Sequence, residues 1–266
     1  KMINAVEETQ KRGLNRAEHR LHLRCELPHH TTLPLFEKLV GREPVSLVSL
    51  MDHSPGQRQF ANIEKYREYY QGKYSLSDAE MARYEEEQLA LAARWSQPNR
   101  LRIAAMCRDR NIALASHDDA THDHVLESHH LGSVIAEFPT TFEAAEASRK
   151  HGMNVLMGAP NIVRGGSHSG NVAASKLASL GLLDILSSDY YPASLLDAAF
   201  RVADDEGNRF TLPQAIRLVT KNPASALNLQ DRGEIAEGKR ADLVLAHRRG
   251  EHVHIDHVWR QGKRVF

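Results

Sequence analysis

Four short segments hold the side chains best able to do chemistry together: Cys25-Glu26, Met51-Asp52-His53, Ser116-His117-Asp118-Asp119 and Ser187-Ser188-Asp189. Each closes a short, mostly apolar run of the kind that forms a strand buried on both faces. His53 and His117 with Glu26 and Asp189 make two imidazoles and two carboxylates, a set that suits one or two borderline divalent ions such as Zn²⁺ or Mn²⁺. An ion with an open position acidifies water toward neutrality and so supplies a nucleophile. Any one of these residues alone reads as a hydrogen-bonded side chain in a loop. Four of them at four separate strand ends are what a shared metal site requires.

A second segment offers chemistry of another kind. In Asn161-Ile-Val-Arg164-Gly165-Gly166-Ser167-His168-Ser-Gly-Asn171, glycines let backbone N–H groups approach an anion and a guanidinium can grip it with a fork. Arg164, Gly165, Gly166, Ser167 and His168 are therefore candidate phosphate contacts. Arg58, in the loop Ser54-Pro-Gly-Gln-Arg58 just after His53, is a further one. The bland alternatives are a flexible lid for the first segment and a tight turn for the second.

The elements that must position these residues alternate along the chain. Strands are expected at 19–27, 45–53, 112–118, 134–139, 154–159 and 183–189, with helices between them. In the first, Leu21, Leu23, Cys25 and Leu27 share one face while His22, Arg24 and Glu26 share the other. Ser77-x-x-Glu80, Thr140-x-x-Glu143 and Thr211-x-x-Gln214 fit a capping box and mark helix starts. This alternation predicts an α/β fold, a (β/α)8 barrel whose strand ends meet at one mouth. The open doubly wound alternative lacks its glycine-rich turn after the first strand. Six visible strands against eight in a closed barrel, and a start resembling the interior of a helix, lead us to expect that the first barrel strands lie outside this chain. The barrel is expected over residues 1–230, with a two-helix insertion outside its wall at about 61–110. Residues 231–266, with strands at GEI, ADLVLAH and the final HVHIDHVWRQGKRVF, are expected to form a small antiparallel sheet.

Composition excludes several classes. Lys+Arg and Asp+Glu are equal at 34 each, so no basic field draws in nucleic acid or an anionic membrane. With 41% hydrophobic and 26% charged residues the chain reads as globular, and no apolar run nears the roughly 18 residues of a membrane span. The only cysteines, Cys25 and Cys107, are far apart and are expected to be reduced structural thiols of a cytoplasmic protein. Sixteen histidines are many for this length, and several crowd into residues 116–130.

The tail Thr220-Lys-Asn222-Pro223-Ala224, then Gly233-Glu-Ile235-x-Glu-Gly238-Lys-x-Ala241-Asp242, ending Val258-Trp-Arg-Gln-Gly262-Lys-x-Val265, resembles the C-terminal signature of the amidohydrolase superfamily. LRCELPHH, SLMDHSPGQRQF, ASHDDAT, APNIVRGGSHSGN and LSSDYYPASLL further resemble a family of diphosphatases of the bacterial carbon–phosphorus lyase pathway. Such enzymes hydrolyse the triphosphate of a ribosyl phosphonate to pyrophosphate and the 5-phosphate. The resemblance implies Glu26 as a bridging carboxylate, His53 and His117 as imidazole ligands, and Asp189 as a metal-contacting general base; should Asp189 not be the base, Asp118 or Asp119 beside His117 is the next candidate. It implies a small phosphorylated sugar as partner and leaves a homo-oligomer open. The superfamily's first-strand His-x-His or His-x-Asp motif does not occur ahead of Glu26. A C–N hydrolase, cyclic amidase or deaminase, is the alternative reading, and a non-catalytic scaffold is a third. Retention of Asp189 argues against the scaffold.

Overall fold

The structure is a computed structural model describing residues 1–60, 62–167, 170–250 and 252–266. The chain divides into two compact units, one of residues 22–153 and one of residues 1–21 with 154–266.

In chain order the elements are α1 (Met2–Lys11), β1 (Leu21–Glu26), α2 (Thr32–Leu39), β2 (Val45–Met51), a 3-10 turn at Arg58–Phe60, α3 (Ile63–Tyr74), α4 (Asp78–Asp109), β3 (Ala113–His117), α5 (His122–His130), β4 (Ile135–Glu137) and α6 (Phe142–Lys150). There follow β5 (Asn154–Gly158), α7 (Ala159–Arg164), α8 (Ala174–Ser179), β6 (Ile185–Ser187), α9 (Ser194–Asp204), α10 (Leu212–Arg217), α11 (Lys221–Ala226), β7 (Leu243–Arg249), β8 (His252–Arg260) and β9 (Lys263–Arg264).

Within the 22–153 unit the strands neighbour one another in chain order, β1 to β4, and the pairings β2 with β3 and β3 with β4 are parallel. Parallel neighbours need a crossover between them, which α4 and α5 provide. Every residue of β3 and β4 is buried, as the apolar runs ALAS and IA predict for strands covered on both faces. The β3–β4 register sets His117 beside Glu137, so two polar side chains leave the same level of the sheet. The long helix α4 starts at a capping box made by Ser77 and Glu80. Its second half is more than an outlying insertion: Ile103, Ala104, Met106 and Cys107 are buried, and the Asn99 amide donates to the Leu27 and His29 carbonyls at 2.8 and 3.0 Å. Its first half packs Met81 with Phe60 and Tyr66 in a separate apolar cluster. The expected cap at Thr140 lies one residue on, where the Thr141 hydroxyl accepts from the Ala144 amide.

In the other unit β5 and β6 are parallel neighbours, and β7, β8 and β9 form an antiparallel meander with a bulge at Leu245/Ala246. The GEI segment is not a strand. Ile235 is 91% exposed and Glu234 pairs with Lys221 and Lys239, so the segment has no ladder to join. Gly233 is the residue this turn requires: at φ +92° its missing Cβ would lie 2.9 Å from both the Ala224 Cβ and the Lys221 Cα. Both cysteines are buried and free, and burial pushes each thiol up to about 12. Among the described residues no helix is long and apolar enough to cross a membrane.

Candidate metal centre

The carboxyl ends of β2 and β3 bring His53 and His117 together, with ring centres 5.6 Å apart and planes at 84°. Between them stands Asp118, whose Oδ2 lies 3.5 Å from His53 Nε2 and 3.3 Å from His117 Nε2. One donor atom from each of these residues lies within 4.8 Å of the others, the only such three-residue group found among the described residues. Asp118 reaches this position because the chain turns sharply after β3: its φ is +56°, a left-handed conformation that aspartate tolerates better than most residues. Phe138 after β4 and Asp189 after β6 make the same turn, at φ +57° and +49°.

Each imidazole is held from behind by a carboxylate. His53 Nδ1 meets Glu26 Oε2 at 2.7 Å, and the His53 amide donates to Glu26 Oε1 at 3.0 Å. Glu26, expected as a metal ligand, thus stands on the far side of His53 from Asp118. His117 Nδ1 donates to Glu137 Oε2 at 2.7 Å, and the Ser49 hydroxyl donates to the same oxygen at 2.7 Å. Carboxylates placed this way fix the ring and raise the basicity of Nε2, the nitrogen that would take an ion in place of its present partners.

The charges agree with a site shaped for a cation. Burial opposes charging of the His53 ring, but hydrogen bonds to Asp118 and Glu26 and the charge of both outweigh it and push its pKa up to about 9. Burial also pulls Glu137 upward, yet the hydrogen bond and charge of His117, the charge of His22 and the Ser49 hydroxyl hold it below the ordinary carboxylate range. At His117 Nε2, Arg24 Nη2 donates at 3.0 Å, which makes that nitrogen an acceptor facing the Asp118 carboxylate. Two acceptors 3.3 Å apart are reconciled by positive charge, which here comes from Arg24 and a protonated His53. Two imidazole nitrogens and a carboxylate oxygen form a donor set that fits Zn²⁺ or Mn²⁺.

Behind the group lies a buried ion network. Arg58, 4% exposed, pairs with Asp119 and with Glu127, and Arg100, 5% exposed, pairs with Glu127 and with Asp52. Asp52 precedes His53 and Asp119 follows Asp118, so the network ties the end of β2 to the end of β3 on both sides of the donor group. Arg58, expected at a substrate phosphate, lies against these carboxylates rather than in open solvent. Burial and the neighbouring Arg100 push it down to about 10, which leaves it charged at neutral pH.

The remaining expected residues lie in the other unit. Asp189 lies two residues after β6, and a Cβ added to Gly158 at the end of β5 would stand 3.3 Å from its Oδ2, so glycine leaves room for that carboxylate. Arg164 is exposed at the end of α7, with Nη1 donating to the Tyr190 hydroxyl at 2.8 Å. The Gly165 and Gly166 amides bond back to Ile162 and Asn161, a helix-ending pattern that spends the N–H groups expected to face an anion. Ser167 accepts from the Asn171 amide, and His168 lies outside the described residues.

The model of the amidohydrolase family matches residues 15–266. The chain is 89% identical over all 266 residues to the alpha-D-ribose 1-methylphosphonate 5-triphosphate diphosphatase of Escherichia coli K12, and spans 70% of that protein's length. It is 34% identical over 110 residues, 40% of the chain and 18% of the relative, to an adenine deaminase of Ligilactobacillus salivarius. Among solved structures, a zinc-bound adenosine deaminase from Xanthomonas campestris aligns over 88% of this chain and 68% of its own, with a TM-score of 0.46 and 18% identity. The family match over nearly the whole length, with a relative this similar along all of it, means that the chain belongs to the amidohydrolase family, whose fold is the α/β barrel that the strand–helix alternation predicts.

Proposed function

We propose that this protein hydrolyses the triphosphate of α-D-ribose 1-methylphosphonate 5-triphosphate to pyrophosphate and the 5-phosphate, at a metal centre held by His53, His117 and Asp118. The observation that carries the metal-dependent reading is the closed group of these three residues, each imidazole backed by its own carboxylate. The substrate follows the E. coli relative, at 89% identity. His53, His117 and Asp118 would hold a divalent ion, Zn²⁺ or Mn²⁺, and the chemistry it would supply there is Lewis acidity toward a phosphoryl oxygen and toward water.

The chain's own residues do the rest. Glu26 and Glu137 hold the two rings, and the Arg58–Arg100 network keeps the two strand ends at a fixed separation. Arg164, steadied by the Tyr190 hydroxyl, binds a phosphate group. Asp189 is assigned the general base, on its position at a strand's carboxyl end and its family counterpart; its carboxylate takes the proton of the attacking water. The experiment is a parallel assay of pyrophosphate and ammonia release from the ribosyl triphosphate and from a panel of cyclic amides and aminopurines. Pyrophosphate with no ammonia is expected; ammonia with no pyrophosphate would move the protein to the C–N hydrolases of its family.

A further inference from the structure

The histidines crowded into residues 116–130 are not used up by the metal centre. His122 and His129 stand two turns apart on α5, and His151, which caps α6, lies between them. The ring centres of His129 and His151 are 4.9 Å apart, those of His122 and His151 5.8 Å, and His130 stands 5.9 Å from His129. His122, His129 and His130 are exposed and His151 is half-buried. Two imidazoles sharing an ion at bonds of about 2 Å stand with their ring centres roughly 5–6 Å apart. Both pairs that include His151 fall close to this spacing, as the His53–His117 pair does at 5.6 Å.

We infer that His129 and His151, with His122 as a third donor, form a second transition-metal site on the outer surface of the α5–α6 pair, distinct from the centre at the strand ends. As it stands the cluster is two adjacent pairs rather than a closed triangle, so side-chain rotation completes it on binding. Its donors are all imidazole, with no carboxylate among them. Such a set takes Ni²⁺, Cu²⁺ or Zn²⁺ and discriminates against Mn²⁺ and Mg²⁺, whereas the His53–His117–Asp118 group, with its oxygen donor, admits Mn²⁺. Another close cross-element pair among the described residues, His247 and His254, offers two rings only, and one of them has Nδ1 committed to Asp256 at 2.8 Å. An ion shared by His129 and His151 would also join α5 to the end of α6.

The test is equilibrium dialysis of tag-free protein against Ni²⁺ and, separately, Mn²⁺, with bound metal counted per chain. The wild-type protein should bind one more equivalent of Ni²⁺ than of Mn²⁺. His151→Gln, and independently His129→Gln, should weaken that additional Ni²⁺ at least tenfold and leave the Mn²⁺ count unchanged. Two exposed or half-exposed positions are chosen so that a folding defect in one does not hide the answer. Equal counts for the two ions in the wild-type protein, or an additional Ni²⁺ that survives in both variants, would overturn the inference.

Discussion

Glu137→Gln is the substitution that best separates the metal centre from the fold around it. Glu137 is 7% exposed, and its Oε2 accepts from both His117 Nδ1 and Ser49 Oγ at 2.7 Å. Glutamine keeps the size and one acceptor oxygen but removes the charge. The His117 ring then loses a charge-assisted bond, worth about 1.5–3 kcal/mol where neutral bonds give about 1. The lost basicity reaches the ion through Nε2, and partners of this kind cost about 10–100-fold in metal affinity when changed. That factor corresponds to roughly 1.4–2.7 kcal/mol. Competition for Zn²⁺ against a chromophoric chelator reads it directly, and a thermal melt without metal shows whether the fold has survived. An affinity within threefold of wild type, in a variant that melts normally, would refute the role given to Glu137.

Four further outcomes follow from the same geometry. Arg58→Met leaves Asp119, 1% exposed, without its cation; breaking such a buried pair costs about 3–5 kcal/mol, so a denaturant midpoint unchanged from wild type would contradict the network. Asp189→Asn should lower kcat by on the order of 10²–10⁴ with substrate still bound, and near-normal kcat at neutral pH would pass the base to another carboxylate. Arg164→Ala should raise KM and leave kcat nearly unchanged, since a phosphate grip acts alike on ground and transition states; a fall in kcat alone would place it at the reacting phosphorus. Glu18 tests the acid limb: burial pulls it upward, but hydrogen bonds from Arg240 and Arg232 and the charge of Arg20 bring it down from 4.5 to about 2. A depressed carboxylate contributes stability that is fully present above pH 4.5 and is lost as pH falls toward 2, so Glu18→Gln should flatten the wild-type decline in that window, and parallel curves would refute it.

The strands were legible because parallel strands buried on both faces must be short apolar runs, and each chemical residue sits where such a run stops. His53 and His117 stand at two such ends. Sequence alone offers Asp118 only as a reserve base; an extended strand would point it away from His117, whereas the left-handed turn at φ +56° brings it back, and no periodicity announces such a turn. Glu137 is hidden in residues 134–139, VIAEFP, which reads as one more apolar run. The signal was there: a carboxylate in a strand buried on both sides must be paired, and the pairing partner was already a candidate. Arg58 misled for the opposite reason. A guanidinium in a loop beside a metal ligand suggests substrate, whereas Asp52, Asp119, Glu127 and Arg100 are distant in sequence and meet it only in three dimensions. The glycine pair at 165–166 suggests an anion cradle, but glycine also ends helices, and here it does.

The proposed chemistry requires an ion at His53, His117 and Asp118. Anomalous diffraction from crystals of the Zn²⁺-loaded protein, recorded on either side of the zinc edge, locates it without reference to activity. A peak about 2.0–2.2 Å from His53 Nε2, His117 Nε2 and an Asp118 carboxylate oxygen is the predicted result. Zinc absent from these three residues in fully loaded crystals would contradict it.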